Sequence, residues 1–232
     1  MNPNDPNLPM LELVVRELGE LLGRFVFVGG CATGLLVTDV AAAPVRATQD
    51  VDVIAEVLTL TDYYALEREL EGAGFSHDRS PDAPVCRWVI GKCILDVMPT
   101  DEGILGFGNR WFSEAIRTAE SVQLPSGRTI RLVTPALFLA TKLEAFRMRG
   151  GGDFMASHDL EDIVTVVDGR PELSGDVQAS APPLRAYIAN EISALIQNTA
   201  FMEALPGHLP GDDASQARVA LIRERLLQLT AV

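Results

Sequence analysis

The chain has 232 residues, 47% of them hydrophobic and 22% charged, a balance typical of a soluble globular protein that buries its own core. Its net charge of −13 argues against a protein that coats duplex nucleic acid, because binding to phosphates requires clustered Lys and Arg. Three cysteines without a C-x-x-C pair indicate neither a disulfide framework nor a zinc site, so we expect a reducing, cytoplasmic setting and no membrane span.

The first third of the sequence predicts short strands that alternate with helices. Apolar residues at helical spacing predict a helix over residues 10–22, and the apolar run Phe25–Val28 predicts a buried strand. Gly29 and Gly30 interrupt this strand and open the next helix. Residues 50–57 are predicted to form a second strand, and Thr61 is predicted to cap the helix that follows.

The middle of the chain predicts two β-hairpins. The first covers residues 85–97 and turns at Gly91 and Lys92, and the second covers residues 121–133. Between them, the glycine-rich segment 101–109 is predicted to be a mobile loop, serving either as a lid or as a long connection. The aromatic pair that follows it, Trp111 and Phe112, fits either a core position or base stacking, and we favour the core.

The remainder of the sequence predicts helices only. Pro135 begins the first, and Ser157 is predicted to cap the second. The segment 174–183, rich in Ser, Ala and Pro, is predicted to be a linker before helices over residues 184–199 and 214–229. We therefore predict an α+β protein with an α/β domain over residues 1–134 and a helical domain over residues 135–232.

One short segment, R-A-T-Q-D-V-D-V-I, places two acids inside an apolar strand. Asp50 and Asp52 are two residues apart, so their carboxylates point to the same face and repel each other. A magnesium ion would remove this repulsion, since Mg²⁺ is typically held by one or two carboxylates together with substrate phosphates. The alternative interpretation is that the acids cap the strand end or pair with Arg46.

Two further features favour the metal interpretation. In F-V-F-V-G-G-C-A-T-G-L-L, Gly29 and Gly30 stand between a strand and a helix, where backbone N–H groups are able to approach a phosphate. In C-I-L-D-V-M-P, Asp96 lies inside an apolar strand, where a carboxylate is costly without a partner. Three acids on neighbouring strands suit a two-metal site.

Together, these residues resemble the nucleotidyltransferase superfamily of the polymerase-beta type. The longer match, over roughly residues 20–172, resembles the AbiEii/AbiGii-like group, known for toxins of toxin–antitoxin pairs. It is carried by V-G-G-C-A-T-G-L-L, R-A-T-Q-D-V-D-V-I, T-K-L-E-A-F-R-M-R-G and S-H-D-L-E-D-I. One departure is that many members have Gly-Ser where this chain has Gly29 and Gly30. The resemblance implies a polymerase-beta-like core with a short mixed sheet, followed by a helical region.

The resemblance also implies a set of site residues. Asp50 and Asp52 would hold magnesium and the triphosphate of an NTP, while Asp96 would bind a second ion and help to deprotonate an acceptor hydroxyl. The remaining residues fall into two groups: nucleotide contacts (Gly29, Gly30, Thr48 and Lys142) and supporting residues (Arg46 and Asp162).

Each of these residues also has a plain structural interpretation. Lys142 lies either on a solvated helix face or against the triphosphate, and Thr48 or Arg46 orients either a carboxylate or a phosphate. Asp159 is expected to favour the dipole of its helix. Asp162 contacts either the helix of Lys142 or the nucleotide. The three histidines are expected to be structural or to lie in loops, at His77, His158 and His208.

The expected activity is the transfer of an NMP from an NTP to an acceptor, with release of pyrophosphate. By resemblance the acceptor is RNA, with a tRNA 3′ end expected, and the setting is a toxin with an antitoxin partner. Residues 110–149 are net positive and would supply the RNA contact surface. Two alternatives are a nucleotidyltransferase that modifies a small molecule such as an antibiotic, which suits the acidic chain, and a non-catalytic binding protein on the same fold.

Overall fold

Seven strands form one mixed sheet in residues 5–231, the part of the chain that this computed structural model describes. In chain order they are β1 (Phe25–Val28), β2 (Asp50–Ala55), β3 (Ser76–His77), β4 (Arg87–Ile90), β5 (Cys93–Pro99), β6 (Glu120–Gln123) and β7 (Thr129–Leu132). Their order in the sheet is β3-β4-β5-β2-β1-β7-β6. Strand β2 pairs with two neighbours in opposite directions: it runs antiparallel to β1 and parallel to β5.

Twelve α-helices lie in the same described residues. They are α1 (Leu8–Leu18), α2 (Gly29–Leu36), α3 (Leu60–Gly72), α4 (Glu102–Leu105), α5 (Phe112–Thr118), α6 (Pro135–Arg149), α7 (His158–Gly169), α8 (Leu173–Gln178), α9 (Pro182–Gln197), α10 (Thr199–Ala204), α11 (Asp213–Ala217) and α12 (Val219–Thr230). Two short 3-10 helices, Gly19–Arg24 and Leu205–His208, complete the helical elements. The α+β fold class predicted from the sequence is confirmed.

The chain divides into two compact units. The sheet unit consists of Pro6–Ala32 and Ala47–Thr134, and it contains the whole sheet. The helical unit consists of Asp5, Thr33–Arg46 and the chain from Pro135 onwards. Each unit has its own apolar core, so each is able to fix the side chains on its own elements.

The core of the sheet unit follows directly from the apolar pattern. All four residues of β1 are buried, as expected for a central strand covered on both faces. Helix α1 buries the stripe Leu11, Val14, Val15 and Leu18, and it packs against β2 and β5. Trp111 and Phe112 are buried at the start of α5, so the core interpretation of this pair is confirmed.

In the helical unit, α6 is buried on all sides over its first ten residues, Pro135 to Glu144, and exposed over its last three. Helix α6 packs against α7, α8 and α9. A helix that is covered all round carries its polar residues into the core as well, so Lys142 and Glu144 are buried with their apolar neighbours. Tyr187 on α9 donates a hydrogen bond of 2.8 Å to Glu144 Oε2, which satisfies that carboxylate.

Four sequence predictions about local structure are wrong. The cap of α3 is Thr59, whose hydroxyl accepts from the Asp62 amide, while Thr61 lies inside the helix. The segment 101–109 contains α4, which Asp101 caps. The segment 174–183 contains most of α8, because Leu173 and Val177 bury one face of it. The single helix predicted over 214–229 is divided into α11 and α12.

Candidate functional site

One row of side chains crosses three strands of the sheet. The antiparallel pair β4–β5 places Arg87 opposite Asp96, and the parallel pair β5–β2 places Asp96 beside Asp52. Residues in register share a face of a sheet, and Asp50 shares the face of Asp52 because it lies two positions away. We call Asp50, Asp52, Arg87 and Asp96 the strand cluster.

Arg87 joins two of the three acids. Its Nε donates to Asp96 Oδ1 at 2.8 Å, and its Nη2 donates to Asp96 Oδ2 at 2.7 Å. The same Nη2 lies 3.0 Å from Asp50 Oδ2. Asp96 is only 7% exposed, and a buried carboxylate of this kind requires a partner. The bidentate guanidinium is that partner.

Electrostatics within the strand cluster keep its cation charged and a neighbouring thiol neutral. Hydrogen bonding to Asp96 raises the pKa of Arg87 above its already high value. Burial, with the charges of Asp96 and Asp52, raises the pKa of the Cys86 thiol to about 12. Cys86 is therefore neutral at physiological pH and does not act as a thiolate nucleophile.

The residues before Asp50 hold its carboxylate in place. Thr48 Oγ1 donates to Asp50 Oδ1 at 2.8 Å, and the Thr48 amide donates to Asn7 Oδ1 at 2.8 Å. Asp50 thus has one oxygen on a hydroxyl and the other on Arg87. Of the alternatives raised for Thr48, the structure has the one in which it orients a carboxylate.

Gly29 lies directly against Asp52. A Cβ atom added to Gly29 would lie 1.9 Å from Asp52 Oδ2, and the φ of Gly29 is +68°, a conformation that favours glycine. Helix α2 begins at this residue, immediately after β1 ends at Val28. The first N–H groups of a helix have no partner within the helix and attract anions. An acidic side chain and a helix start therefore lie next to each other.

The strand cluster has the donor chemistry for one magnesium ion. Carboxylate oxygens are the ligands that Mg²⁺ prefers, and one or two of them suffice when substrate phosphates complete the shell. Asp50 and Asp52 meet this requirement. The predicted second ion on Asp96 stays a prediction, and it would have to compete with a cation, since both Asp96 oxygens accept hydrogen bonds from the Arg87 guanidinium, whereas only one oxygen of Asp50 does. Consistently, within residues 5–231 no three acid, His or Cys side chains are grouped so as to hold a metal by themselves.

A second cluster of charges lies in the helical unit. Lys142 Nζ on α6 is 3.2 Å from Asp159 Oδ1 and 2.7 Å from Asp162 Oδ2, both on α7. Arg149 donates to both oxygens of Asp159, at 3.0 and 3.1 Å, and Arg46 lies 3.3 Å from both oxygens of Asp162. We call these five residues the helix cluster.

The helix cluster settles several alternatives left by the sequence. Lys142 is 7% exposed, so the interpretation as a solvated lysine is wrong. Asp162 does contact the helix of Lys142, one of the two contacts proposed for it. Asp159 is more than a helix-dipole residue, because it is buried against two cations. The nucleotide contacts predicted for Lys142, Thr48, Gly29 and Gly30 stay predictions.

The histidines have structural surroundings. His77 is in β3, stacks on Trp88 with ring centroids 3.8 Å apart and lies 3.1 Å from Glu67 Oε1. His208 is in a 3-10 helix, with Nε2 2.8 Å from the Phe154 carbonyl oxygen. The expectation that both histidines lie in loops is therefore wrong. His158 begins α7 and lies 3.2 Å from Glu161, which agrees with a structural role.

The net positive segment 110–149 does not form one uniform group of cations. Lys142 is buried in the helix cluster, and Arg131 donates to the Ile116 carbonyl at 2.6 Å. In the sheet unit, Arg110, Arg117 and Arg128 are exposed, and Arg117 lies 3.5 Å from Glu114.

Arg87 is the member of the strand cluster that sequence reasoning missed, although a signal was present. A two-residue turn at Gly91 and Lys92 places Ile90 opposite Cys93. Counting three residues away from the turn along each strand then places Arg87 opposite Asp96. The predicted hairpin therefore already contained this pair.

Comparison with solved structures identifies the fold. No family model matches the sequence, and a search of curated proteins finds no match. A crystal structure of an antigenic nucleotidyltransferase-like protein from Paracoccidioides brasiliensis has a TM-score of 0.51, with 18% identity, over 88% of this chain and 94% of that one. The chain has a nucleotidyltransferase-like fold. At this identity the similarity establishes the fold alone.

A second solved structure is more distant. The antibiotic-resistance factor ANT(2″)-Ia, at 18% identity, covers 82% of this chain and 94% of its own length with a TM-score of 0.47. This score adds nothing to the assignment of the fold. Separately, the helices within residues 5–231 include none with both the length and the apolar character that crossing a bilayer requires.

Proposed function

We propose that this protein is a magnesium-dependent nucleotidyltransferase that moves an NMP from an NTP to an acceptor hydroxyl. The observation that carries the proposal is the placement of Asp50 and Asp52 on one face of β2, with Asp52 against Gly29 at the start of α2. Carboxylates for a cation and a helix start for an anion lie together, and a metal–triphosphate complex presents both charges.

Asp50 and Asp52 would hold the ion. When bound, Mg²⁺ supplies positive charge that neutralises the triphosphate and the charge that develops during transfer. Thr48 and Arg87 fix the orientation of the Asp50 carboxylate. Gly29 and Gly30 would let the backbone at the start of α2 approach a phosphate. Catalysis then rests on charge neutralisation and on in-line positioning of the reactants.

The reaction itself is a substitution at phosphorus. The acceptor oxygen forms a bond to the α-phosphorus, and the bond between that phosphorus and the bridging oxygen of the β-phosphate breaks. Pyrophosphate leaves with this oxygen, and the acceptor hydroxyl releases its proton. The product is the acceptor linked to an NMP.

For the acceptor we propose RNA, with a tRNA 3′ end as the leading case, in line with the resemblance to AbiEii/AbiGii-like toxins. The structural support is that three arginines of the sheet unit, Arg110, Arg117 and Arg128, are exposed. Contacts of Lys or Arg with phosphates release counter-ions, so binding of RNA through these arginines should weaken steeply with salt. Reversal of charge at these three positions should abolish the binding of RNA.

A small cationic acceptor is the second candidate, and one observation favours it. The chain carries a net charge of −13, which attracts cations and repels RNA over much of its surface. A screen of resistance phenotypes in cells that express the protein separates the two acceptors. The third candidate function is that of a non-catalytic binding protein. It gains support if Asp52→Ala leaves the cellular phenotype unchanged.

The proposal is tested by incubating the purified protein with Mg²⁺, total bacterial RNA and each of four α-labelled NTPs in turn. The control is the double variant Asp50→Ala/Asp52→Ala. We expect label in small RNA with one NTP and with the wild type only. Label on the protein itself would indicate self-modification. Label in neither the RNA nor the protein, together with no modified small molecule, would contradict transferase activity.

The toxin assignment has its own test. Induced expression of the wild type should arrest bacterial growth, and expression of the double variant Asp50→Ala/Asp52→Ala should not. Growth that continues with both proteins would contradict the toxin assignment while leaving the transferase proposal to the labelling experiment. An antitoxin is then sought as a co-expressed protein that restores growth without lowering the level of the toxin.

A further inference from the structure

The strand cluster contains its own cation. The guanidinium of Arg87 contacts two of the three acids, since its Nη2 is 2.7 Å from Asp96 Oδ2 and 3.0 Å from Asp50 Oδ2. A positive group thus already lies between Asp50 and Asp96.

The sheet holds this guanidinium in position. Arg87 and Asp96 are in register on adjacent strands, and the fork of Nε and Nη2 donates to both Asp96 oxygens. Such bidentate contacts are strong and strictly oriented. Movement of Arg87 away from Asp96 would leave a carboxylate that is 7% exposed without its partner, which is strongly unfavourable.

We propose that Arg87 is a fixed counter-ion that takes the place of a second metal ion, so that the strand cluster binds one divalent cation through Asp50 and Asp52. This inference rests on the proposed function for the identity of the site. Arg87 is a positioning residue in this scheme, because it acts through Asp50 and Asp96. Its removal should open a second cation site that includes Asp96.

The test counts bound metal and does not depend on turnover. Mn²⁺ alone is titrated into the full chain, and free Mn²⁺ is followed by its electron paramagnetic resonance signal. We expect one ion per wild-type chain and two per Arg87→Gln chain. The matched control is Arg16→Gln, which removes an exposed arginine of the same unit and should bind one.

A second variant covers the case in which Arg87→Gln fails to fold, as shown by circular dichroism. Asp96→Asn keeps an oxygen for Arg87, and it should bind as many Mn²⁺ ions as the wild type, because Asp96 is not a ligand. Three results would overturn the inference: two ions in the wild type, no gain in folded Arg87→Gln, or loss of one ion in Asp96→Asn.

These results are distinguishable from failure of the proposed function. If the wild type transfers no nucleotide but binds one Mn²⁺, the transferase proposal alone fails. One ion in the wild type and two in Arg87→Gln support the role of Arg87 whether or not nucleotide is transferred. An equal count in the two proteins, or no ion in the wild type, overturns it.

Discussion

The strand cluster and the helix cluster use the same chemistry with different outcomes. In the helix cluster, Lys142, Arg149 and Arg46 face the two buried acids Asp159 and Asp162, and Arg46 also lies 3.3 Å from Glu161. In the strand cluster, Arg87 pairs with both Asp50 and Asp96. Each buried acid of the helix cluster thus has two cationic partners, whereas Asp50 and Asp96 share one.

Exposure separates Asp50 from the acids of the helix cluster. The side chain of Asp50 is 28% exposed, whereas those of Asp159 and Asp162 are 7% and 3% exposed. A ligand therefore reaches Asp50 from solvent without unpacking the core, while Asp96, the buried acid of the strand cluster, is covered. The comparison teaches that burial and charge balance, and not the presence of acids, distinguish a candidate site from a structural network.

The largest expected effect tests the structural side of the comparison. Lys142→Met keeps the length of the side chain but leaves two buried carboxylates without this partner. Breaking a buried ion pair from one side costs about 3–5 kcal/mol, so the free energy of unfolding should fall by that amount. Urea unfolding measures it. Arg147→Met, in the exposed last turn of the same helix, is the matched control and should change the free energy of unfolding by about 0.5 kcal/mol or less. Equal unfolding midpoints for the two variants would contradict the role assigned to the helix cluster.

The next prediction tests whether the strand cluster is a functional site. Asp52→Asn removes one negative charge from the strand cluster and should weaken its hold on the metal–triphosphate complex. Loss of one electrostatic contact to a transition state typically costs about 10²–10³ in rate. The free energy of unfolding should change by about 1 kcal/mol or less. Incorporation of α-label measures activity. A variant that loses stability and activity in parallel would place Asp52 with the structural residues.

A smaller effect is expected at the glycine beside Asp52. Gly29→Ala introduces a Cβ where Asp52 Oδ2 lies 1.9 Å away, and it also strains a residue with φ of +68°. A residue other than glycine in this region costs about 1–3 kcal/mol. Gly127→Ala is the matched control, because Gly127 has φ of +83° but no atom within 4 Å of the added Cβ.

The two glycine variants separate the effect of backbone strain from the effect of displacing the Asp52 carboxylate. Both should lower the free energy of unfolding, as urea titration reports. Only Gly29→Ala should also lower activity, because it pushes the Asp52 carboxylate aside. Equal activity in Gly29→Ala and Gly127→Ala would mean that the position of Asp52 does not matter to the reaction.

The strand cluster was largely predictable from the sequence, whereas in the helix cluster only the contact of Asp162 with the helix of Lys142 was. Period-two alternation places Asp50 and Asp52 on one face, and a two-residue turn fixes the partner of Asp96. Those signals are local. For α6, the spacing of Leu139, Leu143 and Phe146 predicts one buried face, with Lys142 in solvent. Packing of α7, α8 and α9 around α6 overrides that pattern, and no local signal reports such packing.

The composition of the segment 174–183 also led to a wrong prediction, at α8. Ser, Ala and Pro between residues 174 and 183 are typical of a linker, yet Leu173 and Val177 are four residues apart and are both buried. Two apolar residues at helical spacing are enough when a core lies beneath them. The sequence therefore predicts elements best where hydrogen bonding or alternation determines them, and least where tertiary burial does.

The smallest expected effect sharpens the comparison through pH. Burial raises the pKa of Asp159, but the charges of Lys142 and Arg149 lower it by more, so the pKa lies below its usual value. A carboxyl group with a lowered folded pKa stabilises the protein fully above its unfolded pKa, about 3.9, and this stabilisation is lost as pH falls through the folded value. The gap in unfolding free energy between wild type and Asp159→Asn should therefore narrow below about pH 4. Urea midpoints from pH 7 to pH 3 measure the gap. Asp82→Asn, at an exposed aspartate, should follow the wild type throughout. If this difference in unfolding free energy stayed constant down to pH 3, the Asp159 carboxylate would contribute packing alone. The helix cluster would then no longer be an electrostatic counterpart of the strand cluster.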